Sequence, residues 1–94
     1  MGTRFRVDET PTTFWIKSVG VQYKWGQGQW TEYYNEHFCR DFKTLRDAAC
    51  AGEGEASKIA SGHTAEKAVA IFVVDELGLG GDIVRSVPMQ VVLS

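Results

Sequence analysis

The feature that most constrains this chain is residues 68–74, AVAIFVV, seven apolar residues in a row within residues 64–81, TAEKAVAIFVVDELGLGG. A segment that is apolar on every side has to run through the core rather than over it. Its flanks favour a helix: Thr64 is a candidate N-cap, Glu66 is an acid in the first turn, and Gly78, Gly80 and Gly81 follow as terminators. The sequence therefore predicts a central helix, wrapped by a sheet on one side and a smaller helix on another. The same residues 69–74 are β-branched enough for a buried strand, and TAEKA and DELG are what favour the helix.

A chain of 94 residues makes one domain, 1–94, and buries only about 60–65% of its unfolded surface. Two cysteines are too few for a disulfide scaffold, so order must come from packing of the 44% of residues that are apolar. No charged and then apolar leader opens the sequence, and its longest apolar run falls far short of the roughly 20 residues that span a bilayer. These features predict a cytoplasmic protein with no membrane partner and with both thiols reduced.

The net charge of −2 is unevenly divided. Residues 1–30 carry Arg4, Arg6, Lys17 and Lys24 against Asp8 and Glu9, whereas acids outnumber bases in the remainder. Non-specific nucleic-acid binding draws its affinity from neutralised phosphates, and this composition supplies no dense basic face.

Residues 3–8 alternate, with Phe5 and Val7 on one side and Arg4 and Arg6 on the other, the pattern of a half-buried strand. After a turn at Pro11, residues 13–25 form the longest strand candidate. Its apolar positions are even at Phe14 and Ile16 but odd at Val19, Val21, Tyr23 and Trp25, which requires a bulge or bend, expected at Gly20. Gly26, Gln27 and Gly28 then reverse the chain into residues 29–37. Pairing Trp25 with Trp30 sets Tyr23 opposite Glu32 and Val21 opposite Tyr34, and places Tyr23, Trp25, Trp30 and Tyr34 on one face.

From Asp41, a candidate N-cap, the period is helical through Phe42, Leu45, Ala48 and Ala49 until Gly52. Residues 53–62, EGEASKIASG, read as a loop with at most one helical turn. Residues 83–94 form a last strand, with Met89, Val91 and Val92 as burial candidates and Pro88 marking where its ladder starts. The expected architecture is α+β: an antiparallel meander sheet, in the order β-β-β-α-α-β, with two helices packed on one face.

No catalytic, metal or cofactor motif emerges. His37, Cys39, Cys50 and His63 are zinc-ligand types without paired knuckle spacing. Cys39 with His37 or His63 lacks the flanks of a cysteine hydrolase. The carboxylates are scattered, with nothing to pair two of them as glycosidase chemistry demands. LGLGG follows the expected helix rather than a strand, so it is no phosphate loop. A hairpin preceding a helix has some similarity to double-stranded RNA-binding domains, but the helix entry here, GHTAEKA, holds the single lysine Lys67 where that family carries a basic run.

The aromatic hairpin is the strongest functional signal, because Tyr and Trp combine large contact area with a polar handle. The rings admit two uses, as core against the central helix or as a binding face at a tip that two tryptophans make hard to bury. The expected function is a non-catalytic protein-binding module using Tyr23, Trp25, Trp30 and Tyr33 of the hairpin, with Glu53 and Glu55 from an acidic loop. Its partner would be a larger protein or nucleoprotein complex. One concrete version, by analogy of size and style, is a phage-encoded inhibitor of host defence of the anti-CRISPR type, whose acids compete with nucleic acid for a basic surface. The alternative is a nucleic-acid-binding module that uses the basic residues 3–8 and the hairpin rings as a stacking platform. A homodimer joined by exposed sheet edges or by the aromatic face is a further use of the apolar surface.

Overall fold

The apolar run folds as a strand, which overturns the expected central helix. The computed structural model describes residues 13–62 and 66–93, with backbone alone at Glu32 and Tyr33. Its elements are β1 (Thr13–Lys24), β2 (Glu32–Phe42), α1 (Leu45–Ala60), β3 (Lys67–Leu77) and β4 (Ile83–Val92). They form a four-stranded sheet in the order β2-β1-β3-β4, every neighbouring pair antiparallel, with one helix against it. The class is α+β, but among the described residues there is one helix where two were expected. The strand expected over residues 3–8 lies outside the described residues.

β3 lies between β1 and β4, and its residues 68–74 are the apolar run. Ala68, Ala70, Phe72 and Val74 alternate onto the helix-covered face and are buried, with Val69, Ile71 and Val73 on the other. A continuous apolar run fits a buried helix or a buried strand, and periodicity does not separate the two. The signals that favoured the helix have other uses. The Glu66 carboxylate accepts a hydrogen bond from the Gly26 N–H at 2.9 Å. Gly78 and Gly81 close the β3–β4 turn, where Gly81 has a left-handed φ of 88°. Thr64 lies outside the described residues.

α1 is displaced and lengthened relative to the expected helix. Its N-cap is Thr44, whose Oγ1 accepts from the Asp47 N–H at 3.0 Å, and residues 41 and 42 belong to β2 instead. The segment read as a loop is its second half. Ala48, Gly52 and Ala56 recur every four residues on one stripe and are buried. Gly52, expected to end the helix, lies inside it as the point of closest approach: a Cβ there would sit 2.5 Å from Cε2 of Phe72. Small residues along this stripe let the helix backbone lie close over β3.

The face change in β1 is real, but it sits before Gly20. Ile16 pairs with Val74 and Val19 with Phe72, so β1 holds one more residue than β3 between those pairs. Towards β2 the extra residue is on the other side, since Ile16 pairs with Arg40 and Ser18 with His37. Cys39, at a left-handed φ of 46°, marks that bulge. The shift turns Ile16 and then Val19, Val21 and Tyr23 onto the helix side, where all four are buried. At the far edge, Met89 and Val91 of β4 pack against the core as expected. Val92 is 73% exposed, and Pro88 pairs with Val73 in mid-ladder, which an edge strand tolerates.

Candidate functional site

The hairpin register matches the sequence reading: Tyr23 opposes Glu32 and Val21 opposes Tyr34. The aromatic residues nevertheless divide. Tyr23 is 1% exposed and belongs to the core, whereas Trp25 is 41% and Trp30 40% exposed beyond the ends of the ladder. The Tyr23 and Trp25 rings lie 5.9 Å apart with their planes tilted by 33°, so the buried ring supports the exposed one. Lys24 places its Nζ 5.8 Å from the centroid of Trp30, within cation–π range.

The turn that presents these rings is tied down twice. Gly26 adopts a left-handed φ of 62°, which its missing Cβ allows. Its N–H donates to Oε1 of Glu66, 40 residues away in sequence, and the Gly28 N–H donates to the Trp25 carbonyl at 3.4 Å. Glu66 thus acts at the tip as an anchor, a role the sequence did not disclose, because nothing local to Glu66 connects it to residue 26.

The other expected contact residues are not gathered here. Tyr33 pairs in register with Gln22, and its side chain lies outside the described residues. Glu53 and Glu55 lie on α1 and not in a loop; Glu53 is exposed, and Glu55 is half-buried with an oxygen 3.9 Å from Lys58 Nζ. No described interaction joins either acid to the tip. Tyr34, expected to share the ring face, is 48% exposed on the edge strand β2.

The residues that could carry chemistry lie at the bulge. The exposed Cys39 donates its thiol hydrogen bond to the Lys17 carbonyl at 3.6 Å. His63 lies outside the described residues, and among those described no group of three or more His, Cys, Asp or Glu could hold a metal. On the face away from α1, a half-open groove of about 270 Å³ is lined in part by Lys17, Ser18, Ile71, Val73 and Asp75. Among the described residues no helix is long and apolar enough to cross a membrane. Comparison with protein-family models, with curated proteins and with solved structures gives no match in any of the three.

Proposed function

We propose that this domain is a non-catalytic protein-binding module whose hairpin tip, residues 25–30, seats in a larger protein or nucleoprotein partner. The observation that carries this reading is the pair Trp25 and Trp30, about two-fifths exposed and set on a turn that Tyr23 and Glu66 hold from behind. Tryptophan is the residue most enriched at interface hot spots, and holding a ring in place before contact lowers the ordering cost of binding. Tyr23 supports the patch from the core and does not itself meet the partner.

A narrower version is an inhibitor that occupies a basic, nucleic-acid-binding surface of a host complex, as anti-CRISPR proteins do. Glu36 and Glu53 are exposed and would supply the competing charge, with the tryptophans as anchors. The position of Lys24 over Trp30 favours a second reading, in which a single-stranded nucleic acid stacks on the tip.

Affinity capture from the native host with wild-type protein, Trp25→Ala and Trp30→Ala tests the first reading. Both variants should keep the wild-type circular dichroism spectrum and lose the specific partner. Recovery of the same partner by both folded variants removes the tip from the site. A salt titration against single-stranded oligonucleotides decides between the readings: retention at low salt, with a slope of several charges, replaces the protein partner by nucleic acid.

A further inference from the structure

We propose that the sheet face away from α1 is the contact between two copies of this chain, related by a two-fold axis that crosses the strands at Ile71. The face follows from the register. Lys24 and Lys67 pair across β1 and β3 at one end, and Asp41, Trp15 and Asp75 form one cross-strand line at the other. Between them run the lines Gln22–Val69–Val92 and Gly20–Ile71–Gln90, followed by Ser18 with His37 and by Val73 with Pro88 at the bulge. One end of the face carries Lys24 and Lys67 and the other Asp41 and Asp75, with Lys17 of the bulge beside Asp75 in the groove; between them Val69, Ile71, Val73 and Pro88 form an apolar centre flanked by the polar Gln22, Asn35, His37 and Gln90. α1 lies on the opposite face, and no described element covers this one. Val73 is 43% and Val92 73% exposed, Ile71 is half-buried and Val69 is 9% exposed.

This arrangement is complementary to itself in one orientation. A two-fold axis in the interface and perpendicular to the strands reverses strand direction between the copies. Ile71 then meets Ile71, Val69 lies over Val73, and Lys67 lies over Asp75 of the second copy, each unlike pair occurring twice. On β1, Lys24 lies over the line that holds Trp15 and Asp41, and Gln22 over Ser18 beside the groove. An axis parallel to the strands would instead set lysine over lysine and aspartate over aspartate, and like charges brought together across an interface oppose association. Asp75 is held in place on its own chain, since Ser86 Oγ donates to its Oδ1 at 2.6 Å.

The area is sufficient. Strands about 4.8 Å apart with about 3.3 Å per residue give the face between the lysine and aspartate lines roughly 550 Å². Two copies bury about 1,100 Å², just above the roughly 1,000 Å² that marks a specific interface. Sheets packed face to face in this way stand about 10 Å apart, which side chains of valine and isoleucine size fill.

Light scattering on the full chain during size-exclusion chromatography reads the assembly directly, and the expected mass is twice the 10.4 kDa of one chain. Lys67→Glu and Asp75→Lys should each weaken the dimer about tenfold or more, and the combination of both in one chain should restore it, because each reversed lysine site then meets a reversed aspartate site. Ile71→Arg should give a monomer with an unchanged circular dichroism spectrum, and Trp25→Ala should leave the dimer intact. A wild-type monomer at millimolar concentration overturns the proposal. So does a dimer that survives the single reversals or is not restored by the double one. If deleting residues 1–12 converts a monomer into a dimer, the proposal also fails, because that segment and not a second copy is the occupant.

Discussion

The hairpin of β1 and β2 turns at Gly26, whose N–H is held by a carboxylate from far along the chain, whereas the hairpin of β3 and β4 closes on its own backbone. In the latter, the Gly78 N–H donates to Asp82 O at 2.8 Å and the Gly81 N–H to Gly78 O at 3.0 Å. Its strands are also tied locally, by Arg85 Nε to Glu76 Oε1 at 3.0 Å and by Ser86 to Asp75. Both hairpins expose large apolar side chains. Leu79 at 73%, Ile83 at 56% and Val84 at 61% are in fact more exposed than either tryptophan. Exposure therefore does not distinguish the two. The first hairpin differs in that its exposed Trp25 ring packs on the core residue Tyr23 and its turn is fixed by Glu66 from a distant part of the chain, which is how a chain sets a surface feature at a defined position.

The sharpest way to break this contrast is Tyr23→Ala, which removes the one side chain that is both core and support for Trp25. Truncating a buried aromatic costs about 3–5 kcal/mol, and urea unfolding should show a loss in that range. Val84→Ala, in the other hairpin, should stay within about 0.5 kcal/mol of wild type. Equal effects at the two positions would mean that the hairpins are not anchored differently. Next in size is Gly52→Ala. A Cβ there meets the Phe72 ring of β3 at 2.5 Å, so the buried ring or the elements around it must shift, and overpacking of this kind costs about 1–3 kcal/mol. A neutral result would show that α1 does not press on the second hairpin.

What could be read from the sequence follows the range of the interactions. The β1–β2 register was legible because two strands joined by a Gly-rich turn leave few pairings, and the bulge because the apolar positions of β1 change parity between Ile16 and Val19. The site was legible in part: Trp25 and Trp30 lie on a tip too short to bury both. The fate of residues 68–74 was not legible, since β3 becomes central only by pairing with β1, which is distant in sequence, on the side away from its hairpin neighbour β4. Residues 53–62 read as a loop rather than as the second half of α1 for a related reason. Gly52 looks like a terminator locally, and only the Phe72 ring shows why a glycine stands inside α1. Glu66 suits a helix start by its local sequence, although its partner is the Gly26 amide.

Smaller effects sharpen the same contrast. Glu66→Ala removes the acceptor of the Gly26 N–H and should cost about 0.5–1.5 kcal/mol, the net value of one hydrogen bond. Glu66→Gln keeps a carbonyl acceptor and should fall between it and wild type. The more telling readout is hydrogen exchange at the Gly26 amide, which should accelerate in Glu66→Ala while the Gly81 amide, bonded to Gly78 O, exchanges as before. Acceleration at both amides would mean that the two turns share one support.

The smallest effect concerns Gly54, two residues beyond Gly52 on the same helix. A Cβ at Gly54 meets nothing within 4 Å and the position is exposed, so only the backbone preference of glycine remains, and Gly54→Ala should stabilise the protein by about 0.5–1 kcal/mol. The two substitutions are chemically identical and sit in one helix, so helix propensity favours both equally. Their opposite signs in thermal or urea unfolding would isolate the contact of α1 with Phe72 as the cause of the difference. If Gly52→Ala also stabilises, the close approach of helix and strand is not the constraint that keeps glycine there, and the link between α1 and the second hairpin loses its main support.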